Sequence, residues 1–336
     1  MAGRPSRVLA LGAFFTGHRK GTRREQRMNI LEAATGRRIK SRMGGRLRIS
    51  GRDLFGWAII APSVVFFLVF NWQPLFSGIY LSFFKTKGYE TVSFIGLGNY
   101  KDVMTDSVFL KALANTFSYS FWSLLIGFLL PVAAAVIINE MQLLQSFFKF
   151  SVYFPSMVPG MASLLMWKLV FDPGQGGLLN MLAAIAGLPA GGWLQEPHLT
   201  KMLIVITMTW GGFGGTTLIY IASLQGINSE LYEASEIDGA GLFSKLWRIT
   251  LPSIAGTMEL MLIMQIIGVF QIMIEPFAMT DGGPNNASLS LMLQSYSYAF
   301  KYMQVGRSTA VGVIVFVMLV VPTAVYYKIQ KNNDNG

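Results

Sequence analysis

The chain contains no cysteine, and only two of its 336 residues are histidine. Without thiols there is no disulfide framework and no Cys-based metal site, and cysteine use says nothing about redox compartment. His18 and His198 stand far apart and read as loop or surface residues rather than metal ligands. Charge is also scarce. Only 13% of residues are Asp, Glu, Lys or Arg, about half the share usual in soluble domains. Hydrophobic residues make up 52%, in runs that approach the roughly 20 residues a bilayer crossing requires. The chain reads as a polytopic membrane protein.

Catalytic constellations are missing as well. No Ser/His/Asp set and no metal-ligand cluster can be assembled from the polar residues. The glycine-rich stretch 171–180 lacks the Lys-Ser/Thr pair that a phosphate-cradling loop needs, and it reads as an extracytoplasmic turn. The string Gly211-Gly212-Phe213-Gly214-Gly215 fails the dinucleotide pattern because Thr217 occupies its last glycine position. It suits close helix approach or a flexible segment instead. The chain is therefore expected to bind and gate, to hydrolyse no ATP itself, and to hold no cofactor or metal.

What charge there is lies in one place. Residues 1–53 carry 14 Lys/Arg against Glu25, Glu32 and Asp53, and the remainder is close to neutral. No aromatic residues interleave the basic ones as stacking on bases would require, so no nucleic-acid partner is expected. The arm ends at an apolar run, which fits positive-inside anchoring beside anionic lipid. The short run 8–15 is followed by basic residues rather than a small-residue cleavage site, which disfavours a signal peptide.

Apolar runs predict six spans, at about 54–72, 112–138, 150–170, 201–224, 253–277 and 308–327. The amphipathic stretch Leu289 to Tyr302 either lies along the outer surface or begins the last span. With the basic arm inside, six spans place both termini in the cytoplasm. The 13 Lys/Arg beyond the arm do not by themselves set an orientation. The expected organisation is a basic arm (1–53), an all-α six-span domain (54–330) and a short tail (331–336).

Between the fourth and fifth spans lies the one long polar stretch, at about 225–252, whose residues fit a helix-turn-helix. Tyr232, Ala234, Ile237 and Ala240 fall on one face at helical spacing. Gly239 and Gly241 supply a break. A second amphipathic piece, 242–249, then meets Pro252, which suits the first turn of a new helix.

The order Glu233-Ala234-Ser235, then Gly239, then Ile249-x-Leu251-Pro252 resembles the EAA signature of ABC-importer permease subunits. Ser235 departs from it, in place of the second Ala. Glu32-Ala33-Ala34 is a decoy, since Gly36 follows too soon and no Leu-Pro comes after. Gly96-Leu97-Gly98-Asn99-Tyr100, Asn115-Thr116 and Thr280-Asp281-Gly282-Gly283-Pro284 also resemble the sugar-importer members. Together the resemblance covers about 54–330 and points to the maltose and glycerol-3-phosphate type of permease, with acidic oligosaccharides such as alginate not excluded.

That resemblance implies a type I, maltose-like permease fold with a cytoplasmic coupling helix. It implies a cell inner membrane complex with a second homologous permease and two ATPase subunits that carry the ATP and Mg. It also implies a solute-binding protein that delivers a carbohydrate from outside. Glu233, Ala234, Ser235, Asp238, Gly239, Ile249, Leu251 and Pro252 are then the ATPase-coupling residues. Glu233 would contact the ATPase, Gly239 would permit the bend, and Leu251-Pro252 would re-enter the membrane. An ABC permease for another solute, such as a glycerol phosphate, and a secondary transporter are the alternatives; no inverted repeat favours the latter.

For a substrate path the polar residues inside apolar spans are the candidates, because such groups are costly there. Gln271 and Glu275, four apart, are expected on one helix face next to a kink at Pro276. Gln265 and Trp210 are further candidates, Trp210 as a stacking surface, with Thr207, Thr209 and Glu259 beside them. Interhelical hydrogen bonding and simple packing are the competing roles for all of these.

Overall fold

The structure is a computed structural model, described here for residues 51–141 and 143–333. The expected arm, apart from its last residues, and the end of the tail lie outside the described residues. The chain divides into two compact units, residues 1–71 and 72–336.

In the first unit, helix α1 (Gly51–Phe67) carries no charged residue after Asp53, with Pro62 inside it. The second unit starts at Trp72. Its elements, in order, are α2 (Gln73–Leu81), strands β1 (Phe84–Lys87) and β2 (Glu90–Phe94), α3 (Gly98–Thr105) and α4 (Ser107–Trp122). Next come α5 (Leu129–Glu140), α6 (Gln145–Tyr153), α7 (Gly160–Val170), α8 (Leu178–Ile185) and the long α9 (Thr200–Gln225). The last are α10 (Ser229–Ile237), α11 (Leu242–Lys245), α12 (Leu251–Ser253), α13 (Ala255–Phe270), α14 (Ile274–Thr280), α15 (Leu291–Tyr296) and α16 (Val305–Asn333). The antiparallel β1–β2 pair is a small exception to an otherwise helical chain.

Among the described residues, four helical stretches are long and apolar enough to cross a membrane: Phe55–Leu81, Ser107–Glu140, Thr200–Gln225 and Val305–Lys328. These match the predicted first, second, fourth and last spans, the first extended beyond Trp72. A fifth is reached only if Leu242–Ser253 and Ala255–Phe270, bent by 68° at their junction, count as one.

The expected third span is broken. Pro155 and Pro159 interrupt 145–170, leaving α6, a short 3-10 turn (Phe154–Met157) and the 11-residue α7. Proline lacks the amide hydrogen that would continue the ladder, and 11 residues rise only about 17 Å. The predicted fifth span also ends early, at Phe270, with Gln271 to Met273 non-helical. Most of Leu289 to Tyr302 is neither on the surface nor in the last span: Leu289, Leu291, Leu293 and Tyr298 are core residues packed with Val103, Phe109, Val311 and Val315, and only Phe300 to Tyr302 are exposed.

An irregular segment, 281–290, is threaded into this core, with Ala287 to Leu291 all buried. Its backbone turns through left-handed conformations at Asp281, Gly282, Asn285 and Asn286. No regular ladder satisfies its peptide groups: local turns pair most of its amides, such as Ala287 N to Pro284 O and Ser288 N to Gly282 O, and side chains pair its carbonyls. Asn115 donates from Nδ2 to the carbonyls of Asn286 (2.7 Å) and Leu289 (3.0 Å). The Tyr119 hydroxyl donates to the Ser288 carbonyl at 2.8 Å. Lys201 Nζ donates to the Ala287 carbonyl at 3.0 Å, and Lys111 Nζ to that of Asn285. Thr116 Oγ1 accepts from the Leu291 amide at 3.2 Å. Thr280 and Ser288 share a hydroxyl contact of 2.7 Å, and Ser290 caps α15.

Two more asparagines act in the same way. Asn99 donates to the carbonyls of Ser82 (2.9 Å) and Phe84 (2.8 Å), which anchors the hairpin. Asn180 donates to the carbonyls of Pro173 and Gly191 and accepts from the Gly191 amide and Trp193 Nε1, which closes the 171–195 loop. The sequence strings that resembled a permease family are thus, in large part, backbone clamps.

Close helix approach depends on Gly214. A Cβ there would lie 2.3 Å from the Val152 carbonyl oxygen and 2.5 Å from Tyr153 Cα, whereas Gly211, Gly212 and Gly215 have open space. Gly214→Ala is accordingly expected to cost about 1–3 kcal/mol, because backbone rather than a movable side chain is in the way. Asn115→Leu is expected to cost a similar ~1–3 kcal/mol by leaving buried carbonyls unpaired. Thermal unfolding midpoints of the purified variants check both, and an unchanged midpoint contradicts either assignment.

Candidate coupling cap and candidate path

The polar unit that follows α9 is built from short-range rules. Asn228 caps α10, its Oδ1 accepting from the Glu230 amide at 3.1 Å. At the other end Gly239 N donates to Glu236 O and Ala240 N to Ser235 O. Gly239 closes this helix-terminating motif at φ +75°, a conformation glycine adopts without steric cost.

Two contacts then fold the second piece back on α10. Lys245 Nζ meets Glu236 Oε1 at 2.7 Å, and that hydrogen bond holds the Glu236 carboxyl below the usual carboxylate range. The Tyr232 hydroxyl lies 3.0 Å from Thr250 Oγ1. Pro252 sits in the first turn of α12, which its missing amide hydrogen tolerates. The buried Ile254 follows at the 68° bend into α13.

The expected apolar face of α10 is corrected by this geometry. Tyr232 and Ala240 are half-buried, but Ala234 is exposed and Ile237 is 87% exposed. The fully buried member is Ser235, which donates to the Tyr232 carbonyl at 2.7 Å. The helix packs on Tyr232 and Ser235 because Thr250 bonds Tyr232, and that turns 234 and 237 outward. A small residue is needed at 235, and its hydroxyl is satisfied within the helix. Glu233 and Asp238 are exposed, and neither forms an ion pair among the described residues. Ile249 and Leu251 are half-buried. The outward surface therefore combines Glu233, Asp238 and Ile237 with Leu242 and Phe243, which are 81% and 75% exposed. Contiguous exposed apolar side chains rimmed by carboxylates are characteristic of a protein docking surface.

The path candidates do not form one site. Gln271 and Glu275 share no helix face: Gln271 terminates α13 and is exposed, while Glu275 opens α14 after a break. Pro276 causes no kink, since it falls in the first turn of α14. Glu275 borders a cavity of about 550 Å³ with Ser156, Ser163, Thr207, Gly211 and Gly212. Ser156 reaches the Gly211 carbonyl at 2.9 Å.

Gln265 lies elsewhere. It donates to Ser123 Oγ, and a Cβ at Gly127 would sit 2.7 Å from its amide nitrogen. Trp210 belongs to a third place, an apolar cavity of about 620 Å³ that also includes Thr209, Phe148 and Phe213. Its ring packs edge-on to Trp167 at 5.9 Å. Glu259 is exposed. Ser123, Ser156 and Ser163 were missed as candidates; their signal was a hydroxyl on an otherwise apolar run. No group of three or more His, Cys, Asp or Glu is placed to hold a metal ion among the described residues.

Residues 123–334 match the family described as the inner membrane component of binding-protein-dependent transport systems. The chain is 29% identical over 287 residues to the arabinooligosaccharide transport permease AraP of Bacillus subtilis, covering 83% of this chain and 91% of AraP. It is 30% identical over 277 residues to the trehalose/maltose transport permease MalF of Thermococcus litoralis, covering 82% and 93%. Its fold is similar to a chain from the crystal structure of a bacterial ABC transporter involved in import of the acidic polysaccharide alginate. There the TM-score is 0.74 at 23% identity, covering 84% of this chain and 96% of that one. These relatives are permease subunits rather than enzymes. This multi-pass chain belongs to the binding-protein-dependent transport system inner membrane component family, as a permease of the ABC-importer fold.

Proposed function

We infer that this permease forms half of the translocation pathway of an ATP-driven carbohydrate importer. The observation that carries the coupling is the outward face of α10 and α11. It presents Glu233, Ala234, Ile237, Asp238, Leu242 and Phe243 on a unit braced by Tyr232–Thr250 and Glu236–Lys245. Gly239 shapes the unit, Ser235 packs it, and Ile249, Leu251 and Pro252 carry it into the bent α12–α13 pair. Motion of a docked ATPase subunit would be passed on through that bend.

The complex implied has a second homologous permease, two ATPase subunits that bind ATP and Mg, and a solute-binding protein. The cap then faces the cytoplasm. Both termini lie on the same side, with the basic arm 1–53 against anionic lipid, the permease domain 54–330 and the tail 331–336 following. A carbohydrate substrate is supported by relatives whose names specify arabinooligosaccharides, lactose and trehalose or maltose. Hydroxyl and carboxylate groups of Ser156, Ser163, Thr207 and Glu275 around one cavity suit hydroxyl-rich solutes. Gln265 lies on α13 beside a separate, smaller cavity, and Gln271 and Trp210 are set apart from both cavities.

The test is ATPase activity and uptake of the reconstituted complex with its binding protein, across neutral and acidic oligosaccharides. One sugar class is expected to stimulate both. Glu233→Ala is expected to cut stimulated activity at least about tenfold, the scale of a lost charge-assisted contact. Its unfolding midpoint should stay unchanged, because Glu233 is exposed. Wild-type uptake by that variant removes Glu233 from the coupling role. Failure of any ATPase to copurify overturns the importer reading.

A further inference from the structure

Larger than the cavity beside Glu275 is the one that includes Trp210, about 620 Å³ between α5, α6 and α9. Its lining carries two hydroxyls, Ser151 and Thr209, and is otherwise apolar, so a hydroxyl-rich solute finds little to bond there. On α9 its wall is the stripe Ile206, Thr209, Trp210 and Phe213, at helical spacing. Thr207, Met208, Gly211 and Gly212 border the Glu275 cavity instead.

The shape is that of a slot. It reaches from Ile126, just before α5, to Ile138 near the end of α5, a rise of about 18 Å along the helix. That is close to one leaflet, half of a hydrocarbon core of about 30 Å. Spread over this length, the volume leaves a cross-section of about 34 Å², well under that of a helix about 10 Å across. An extended hydrocarbon chain fits it, and a helix of another subunit does not. The Ile138 end is the end nearer the coupling cap, since Ile138 belongs to the cluster with Tyr220, Leu224 and Ile254.

At that end the slot has a cationic lip. Gln145 Nε2 donates to the carbonyls of Ile138 (3.1 Å) and Asn139 (3.4 Å), and Lys149 Nζ donates to Gln145 Oε1 at 3.1 Å. Lys149 follows the slot residue Phe148 and is half-buried. It forms no ion pair among the described residues, so Glu140, exposed at the end of α5, does not neutralise it.

We propose that the slot holds one acyl chain of an anionic membrane phospholipid, with the lipid phosphate at the Lys149 ammonium. An unfilled apolar space would forfeit contacts along all its walls, and basic sites between helices at the membrane surface suit anionic headgroups. Pro155 lines both this slot and the Glu275 cavity, so an occupied slot braces a wall that the two share. Assignment to the cytoplasmic leaflet rests on the importer reading; the slot and its lip do not.

Photolabelling tests this. The full-length chain, in whatever complex it purifies with, is reconstituted into phosphatidylcholine vesicles with a minority of phosphatidylglycerol that carries a diazirine on one acyl chain. Crosslinks are then mapped on this chain. They are expected within Phe148–Pro155 and Ile206–Phe213, and the same diazirine chain on phosphatidylcholine should label these segments less. Lys149→Gln should reduce the phosphatidylglycerol label about fivefold, the worth of one lysine near an anionic surface. Leu130→Trp, at an exposed rim position, should block labelling by either lipid. Absence of label from both segments overturns the proposal, whether a protein chain or nothing covers the slot. Equal labelling by the two lipids, or labelling unchanged in Lys149→Gln, overturns the anionic headgroup assignment. None of these readouts needs a sugar or ATP, so failure of the importer reading is registered separately, by uptake and ATPase activity.

Discussion

The constraint on which this structure most depends is the need to pair backbone amides and carbonyls where water is scarce. Long helices meet it internally, but the segment 281–290 cannot, and its second half, Ala287 to Ser290, is buried. Asn115, Thr116, Tyr119, Lys111 and Lys201 supply what a helix would have supplied, from two different spans. This is the condition under which irregular backbone is tolerated at membrane depth. Since each bond joins residues far apart in sequence, the clamps also set where α4, α9 and α15 stand relative to one another.

The breaks in the helices have a similar logic. Pro155 and Pro159 interrupt the chain between α6 and α7, and Gln271 to Met273 separate α13 from α14. The cavity containing Glu275 lies beside these interruptions: Ser156 sits in the first and Ser163 in the opening turn of α7 after it, while Ile274 and Glu275 open α14 after the second. An uninterrupted helix turns its polar backbone groups inward on itself. Stopping it frees short segments whose side chains and peptide groups can face a cavity. The broken spans that spoil a simple count of six are therefore what makes room for this cavity.

The cap is stiff where it joins the membrane part and bare where it faces out. Its internal bonds use Tyr232, Ser235, Glu236, Lys245 and Thr250, while the Glu233, Ile237 and Leu242 side chains are exposed. The bent junction at Ile254 gives the cap a direct mechanical link to α13, which carries Gln265.

Much of this was legible in the chain itself. Apolar runs near the length of a bilayer crossing located four spans, because burial in lipid rewards composition irrespective of partners. Gly239 announced its turn, since only glycine takes a left-handed conformation at no cost. The spacing from Glu233 to Pro252 specified a cap between spans. Tertiary structure decided the rest. Periodicity could not say which face of α10 turns inward, because the Tyr232–Thr250 contact sets that rotation and joins residues 18 apart. Spacing placed Gln271 and Glu275 on one face only by assuming an unbroken helix. Which polar groups meet around a cavity depends on distances between helices, and those exist only once the chain has packed.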